Sequence, residues 1–208
     1  MEHTGSLFTR RAATILIACG FTTRAKATPE ITQGSASLAG QLLVATPAMS
    51  DPRFAQTVIL MVRHAPTGAM GITINRPLGR RPMADLMQAL GQDADGAVGS
   101  IELFAGGPVQ PQIGFVLHDA SYHQPGTIDI DGRIAMTSSP EILRTIARHG
   151  APRHVLVAFG YAGWGAQQLE AELAQHAWVT TPADLPLVFD TDRKAVWDAA
   201  TARAESGR

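Results

Sequence analysis

The chain of 208 residues has the length of one domain, or of one domain with an appendage. Its 45% apolar and 17% charged residues supply a core, which excludes disorder along the whole length. Its 17 basic and 18 acidic residues, net −1, argue against a nucleic-acid binder held by bulk charge, and the lone cysteine, Cys19, excludes an internal disulfide framework and a cysteine-rich zinc site.

Residues 1–11 end in Arg10 and Arg11, and residues 12–21 (AATILIACGF) are almost wholly apolar. A basic start, a short apolar run and a small-residue site form the pattern of a secretory leader. Thr9-Arg10-Arg11 loosely resembles a twin-arginine signal. The apolar run is about half of the roughly 20 residues that a membrane-spanning helix needs, so no transmembrane helix is expected. Two processing sites compete. Ala25-Lys26-Ala27 would leave Thr28 as the new terminus, whereas Leu16-Ile17-Ala18-Cys19 resembles a lipobox and would put a lipid anchor on Cys19. Residues 1–35 are therefore expected to be a signal-like leader, with a disordered tail as the alternative. Export would place the protein in the periplasm or on the membrane as a lipoprotein; otherwise the cytoplasm is expected. Loss of residues 1–27 would remove four of the 17 basic and one of the 18 acidic residues, leaving net −4.

The body follows without internal repeats. Gln41–Ala45 (QLLVA) reads as a buried strand ended by Thr46-Pro47, Thr57–Val62 as a second strand and Met70–Asn75 as a third. Pro82 suits a first helical turn, Met83, Leu86, Met87 and Leu90 have helical spacing, and Gly91 ends the run. Residues 92–100 form a polar loop. Strands follow at Ile101–Ala105, Gln112–His118, Thr127–Ile130 and Arg133–Thr137, the last two joined by the hairpin signal Asp131-Gly132. Ser139 is expected to cap a second helix, with Pro140 in its first turn, Ile142, Leu143, Ile146 and Ala147 as its apolar stripe, and Gly150 as its stop. Val155–Phe159 is a continuous apolar run and so a central strand. A third helix is expected over Gly165–Gln175 and a fourth over Asp190–Ala202, with Val196 and Trp197 facing the core. Strands outnumber helices, and only the second helix suggests a crossover. The pattern predicts a single α+β domain over residues 38–203, with a mixed sheet flanked by about four helices.

Catalytic signatures are missing: no G-x-S-x-G, P-loop, G-x-G-x-x-G or H-E-x-x-H occurs. Ser138-Ser139 is better explained by helix capping than by nucleophilic chemistry. His118, Asp119 and His123 have a spacing compatible with metal ligands, but hydrogen-bonded or solvated histidines explain them better. His64 precedes a turn and reads as a loop residue. Gly106-Gly107-Pro108 reads as a tight turn, because no helix begins there to offer its dipole to a phosphate. Glu170 and Glu172 lie two apart on the third helix, so they do not share a face. Gly160-Tyr161-Ala162-Gly163-Trp164-Gly165 is the most unusual stretch. It reads either as close packing of a helix on a strand or as a binding lip with Trp164 as its platform. No cofactor or catalytic residue is expected.

Several segments together carry a resemblance. They are Gly40–Pro47 continuing into Met49–Phe54, Gly68–Pro77, Gly106–Val109, Gly114–His118, and Gly160–Trp164 with Gln168, Leu169, Glu170 and Glu172. In this order and spacing the chain resembles the AlgH/YqgE family of small bacterial proteins over residues 38–200. The resemblance implies a compact α+β fold with a mixed, partly barrel-like sheet, and a function that is uncharacterised, often labelled transcriptional regulation. It implies no established active site, cofactor or ligand. Two departures stand out. The family is usually leaderless and cytoplasmic, and Gln167 occupies a position where a glycine or other small residue is expected.

Loops carry function more often than the elements they join. Asp51, Arg53, Asn75, Arg76, His118, Tyr161 and Trp164 all fall at expected strand ends. If those ends converge, they form a polar groove with aromatic walls, the usual character of a small-ligand site. The expected function is thus a non-enzymatic regulatory protein that binds an unidentified protein partner or small ligand. The alternatives are direct transcriptional control and a hydrolase-like enzyme using His118 and Asp119. The acidic body, and helices without basic faces, disfavour nucleic acid.

Overall fold

A computed structural model describes residues 37–148 and 152–207. The expected leader, with Cys19 and Thr28, and the expected stop at Gly150 lie outside these residues.

Among the described residues ten strands form one curled sheet: β1 (Gln41–Ala45), β2 (Val58–Ala65), β3 (Gly68–Thr73), β4 (Pro77–Pro82), β5 (Ser100–Ala105), β6 (Val109–Asp119), β7 (Ile128–Asp129), β8 (Ile134–Thr137), β9 (Val155–Gly165) and β10 (Trp178–Pro182). Four α-helices accompany it: α1 (Met83–Ala89), α2 (Glu141–Ala147), α3 (Gln168–Ala174) and α4 (Val196–Ser206), with one π-helical turn at Pro186–Asp190. The sheet order is β10-β1-β2-β3-β9-β6-β8-β7, and β5 joins β9 while carrying β4 on its other edge. Only β5 and β9 pair in parallel; every other pair is antiparallel. The fold is α+β with a mixed, half-barrel sheet. β8 and β9 flank β6 and both run against it, so α2 makes the crossover that the sequence suggests.

The two-residue period of the strands sorts their side chains onto two faces. Leu42 and Val44 of β1, Val58, Leu60 and Val62 of β2, Phe115 and Leu117 of β6, and Leu156 and Ala158 of β9 point into the hollow of the sheet. There they meet Leu187 and Val188 of the π-helical turn and Val196 and Ala200 of α4. Their neighbours Leu43, Ala45, Ile59 and Met61 face outward, where Trp164, Trp178 and Leu169 cover them. Val116 and Val157 also face outward, under Met83, Met87, Ile142 and Leu143 of α1 and α2. Strands buried on both faces explain why QLLVA and VLVAF read as unbroken apolar runs.

Several boundaries differ from expectation for local reasons. Pro82 and Pro140 are themselves the N-caps of α1 and α2, and Ser139 offers only its carbonyl, to the Ile142 amide, rather than its hydroxyl. The stretch Gly160–Gly165 is not a link between strand and helix; it prolongs β9 along β3. α3 accordingly starts at Gln168 and α4 at Val196. β4 is missed by hydropathy because all six of its residues, PLGRRP, are exposed. β10 is missed because WVTTP is short and half polar. At Gly107 a Cβ would collide with the Tyr161 backbone. Gly160, at φ +73°, would likewise drive one into the Gly107 carbonyl. The glycines let two backbone segments cross in contact.

Candidate functional site

β6 leaves β9 after the Val109–Tyr161 pair, and no described strand continues along that edge. A groove of about 560 Å³ opens there instead. Its floor is Ala162 and Gly163 of β9, where small side chains keep the sheet low. One wall is the β1–β2 loop with Met49, Asp51, Arg53 and Phe54; the other is Trp164 with Gln168 and Glu172 of α3. A shallower hollow of about 370 Å³ shares Val109, Gly163 and Trp164 with it and continues past Tyr161 to Arg63 and Met70.

Glu172 organises the α3 wall. Its Oε2 accepts from the indole N–H groups of Trp164 at 2.9 Å and Trp178 at 2.8 Å, and its Oε1 accepts from Gln168 Nε2 at 3.0 Å. Gln168 Oε1 in turn accepts from the Gly165 amide at 3.1 Å. The two indoles meet edge to face at 6.2 Å, and Phe54 packs edge-on to Trp178 at 5.8 Å. Buried indoles need an acceptor, and one carboxylate serves both. Neighbouring Glu170 points elsewhere, accepting from His64 Nε2 at 2.8 Å. His64 is no loop residue: it sits in β2 with its side chain 5% exposed, and its Nδ1 accepts from the Leu38 amide. These contacts assign the neutral tautomer with the proton on Nε2.

The expected site residues fall into three groups. Asp51, Arg53 and Trp164 line the groove, and Tyr161 lines the adjoining hollow, edge-on to Phe115 at 6.1 Å. Arg53 pairs with Asp51 at 2.7 Å, and its hydrogen bonds hold the Asp51 carboxyl below its ordinary value. Asn75 and Arg76 stand behind the loop. Asn75 accepts from the Val58 amide and donates to the Gln56 carbonyl, both at 2.9 Å, while Arg76 donates to the Ala55 carbonyl and the Thr57 hydroxyl. His118 lies apart, fully buried, with Nδ1 against the Asp119 carbonyl and Nε2 against the Thr137 hydroxyl, each at 2.9 Å. Burial pushes its imidazole below the ordinary value. Burial pushes Asp119 up, but hydrogen bonds from Ser121 and His154 overcome it and take the carboxyl to about 2. Phe54, Gln168 and Trp178 went unforeseen as partners. The available signal was the i, i+4 spacing of Gln168 and Glu172 beside two tryptophans.

The titratable groups lining the groove are all engaged: Asp51 with Arg53, and Glu172 with two indoles and Gln168. This suits shape-selective binding better than proton transfer. Among the described residues no helix is long and apolar enough to cross a membrane.

The sequence profile of a family described as AlgH-like matches residues 42–206. A UPF0301 protein of Rhodospirillum rubrum is 43% identical over 166 residues, covering 80% of this chain and 86% of its own. One from Azoarcus is 46% identical over 159 residues, covering 76% and 84%. The solution structure of the AlgH protein of Pseudomonas aeruginosa superposes with a TM-score of 0.69 at 41% identity, covering 81% of this chain and 89% of that one. A crystal structure of a Corynebacterium diphtheriae protein shares the fold alone, with a TM-score of 0.61 at 21% identity, covering 79% and 85%.

Proposed function

The chain belongs to the AlgH-like family, and from its groove we propose that it is a non-enzymatic regulatory protein that binds a small ligand or a partner segment between the β1–β2 loop and α3. The observation that carries this is the groove itself: its volume of about 560 Å³ lies within the range of small-molecule sites, and it joins aromatic walls to a few fixed polar groups. Asp51, Arg53, Tyr161 and Trp164 would touch the bound molecule. Asn75 and Arg76 would act behind them by fixing the loop. The Asp51–Arg53 pair is exposed and weak, so Arg53 can turn to a ligand at little cost. Buried His118 has no part in this surface, which disfavours the hydrolase alternative. An export leader at residues 1–35 remains a proposal for the intact mass of the protein from its own host to decide: a chain beginning at Thr28, or a lipidated Cys19, supports it, and an intact Met1 overturns it.

Gly163→Leu tests the groove. A Cβ at Gly163 has the Tyr161 ring at 3.1 Å and the Val109 side chain at 3.8 Å as its nearest neighbours, so a leucine crowds the edge that the groove shares with the adjoining hollow. The full chain and the variant are equilibrated with extract of the host and examined by native mass spectrometry. A bound species on the parent that is lost from a variant of unchanged Tm supports the proposal. Equal retention by both, or no bound species on either, overturns it.

A further inference from the structure

On the far side of the sheet β5 presents a second cavity, of about 240 Å³, whose lining shares no residue with the groove. Leu103 of β5 packs toward α1 and α2, Ile101 packs there and also reaches the cavity's edge, and Ser100, Glu102 and Phe104 line the cavity. Leu156 of β9 and Phe189 of the π-helical turn complete an apolar wall, and Arg193 closes it. The Arg193 guanidinium lies over the Phe104 ring at 6.0 Å. Its Nη1 donates to the Val188 carbonyl at 2.8 Å and to the Ile74 carbonyl at 3.3 Å. Its Nη2 is buried without a hydrogen-bond partner among the described residues, and none of their carboxylates lies within ion-pair reach of Arg193. A desolvated guanidinium bonded only to neutral carbonyls has its charge offset only at a distance, by Glu102, Asp190 and Asp192, and so keeps a donor free for an anion in contact.

Arg80 stands directly across the β4–β5 ladder from Glu102 and lines the same cavity. Two cations against one carboxylate leave the lining at net +1. We infer that this cavity is a second binding site, taking a small monoanion through its carboxylate. Arg193 Nη2 and Arg80 donate to the carboxylate, whose planar oxygens match a guanidinium fork. Glu102 repels a second negative charge, which disfavours phosphate. Phe104, Phe189 and Leu156 cover a short apolar body. The space equals about eight water volumes, so the acid has only a few carbons.

The test is an NMR titration of the ¹⁵N-labelled full chain with sodium propionate, against sodium chloride at equal ionic strength and then sodium phosphate. Saturable shifts at the Phe104 and Leu156 amides and at Arg193 Nε, with propionate only, are expected. Arg80→Gln weakens propionate about tenfold, the value of one charge-assisted hydrogen bond. Glu102→Gln tightens it. Arg193→Gln abolishes it; should that variant unfold because its ties to Val188 and Ile74 are cut, the other two carry the test. Equal responses to propionate and chloride, or affinities unmoved by Arg80→Gln and Glu102→Gln, overturn the site. A stronger response to phosphate overturns the monocarboxylate assignment.

Discussion

The two halves of β9 are built for different ends. Val155–Phe159 pairs with β6 on one edge and β5 on the other, and Leu156, Val157 and Ala158 are buried. Ala162–Gly165, past the last pair with β6 at Tyr161, pairs with β3 only, alternates buried Ala162 and Trp164 with exposed Gly163 and Gly165, and borders the groove. One continuous strand thus passes from core to binding surface. The change is made by losing a neighbour on one edge and by replacing branched side chains with glycine and alanine. A rigid buried half is a good foundation for a site, because the open half inherits its position.

The comparison breaks most severely at Leu156. Leu156→Ala in the buried half should cost about 2–5 kcal/mol in urea denaturation, the usual range for a core leucine, and leave groove binding intact while the protein is folded. A loss under about 1 kcal/mol would make the first half no core at all. In the open half, Glu172→Ala strands two indole donors whose residues are only 7% and 2% exposed. It should cost about 2–4 kcal/mol, with Glu172→Gln milder because it keeps an acceptor. If both variants melt like the parent, the indole network does not hold the wall.

A pH series sharpens the contrast from the buried side. His118 lies opposite Val155 at the start of β9, and its folded pKa lies below the unfolded one. The unfolded chain therefore takes up the proton first. The stability that neutral His118 contributes is full above about pH 6.5 and is lost as pH falls below it toward the folded value. His118→Gln should flatten that slope in Tm against pH; an unchanged slope would assign it to another group. Asp119 adds a separate step, with stability present above about pH 4 and lost as pH falls through about 2. The smallest effect lies just past the open half. Gln167 adopts φ +61°, a left-handed conformation that favours glycine. Gln167→Gly should gain about 0.5 kcal/mol, and a loss would mean that the side chain contributes more than the strain removes.

Most of the fold was legible because most strands bury both faces. QLLVA, the run around TVILMV, and VLVAF announce themselves by composition, and Asp131-Gly132 by its turn chemistry. Where burial fails, legibility fails with it. Exposed β4 and short, half-polar β10 carry no hydropathy signal, and the glycines of Gly160–Gly165 mimic a loop although they serve a chain crossing. The site was half legible. Asp51, Arg53, Tyr161 and Trp164 could be placed at strand ends by their neighbours. That Asn75 and Arg76 grip a loop 17–21 residues earlier, and that His118 turns inward, depends on register, which no local pattern encodes. The glycine expected at position 167 has its physical reason in the backbone angle there.

β1 is held between β2 and β10, and its outer ladder joins Gln41 to Pro182. On a ribosome this is a matter of timing. The first strand of the domain emerges long before the partner that covers its open edge, and until then LLVA offers unpaired backbone beside apolar side chains. A nascent chain of this design depends on being sheltered or slow to associate until its tenth strand is made, and its folding rate is governed by that long-range closure more than by any helix.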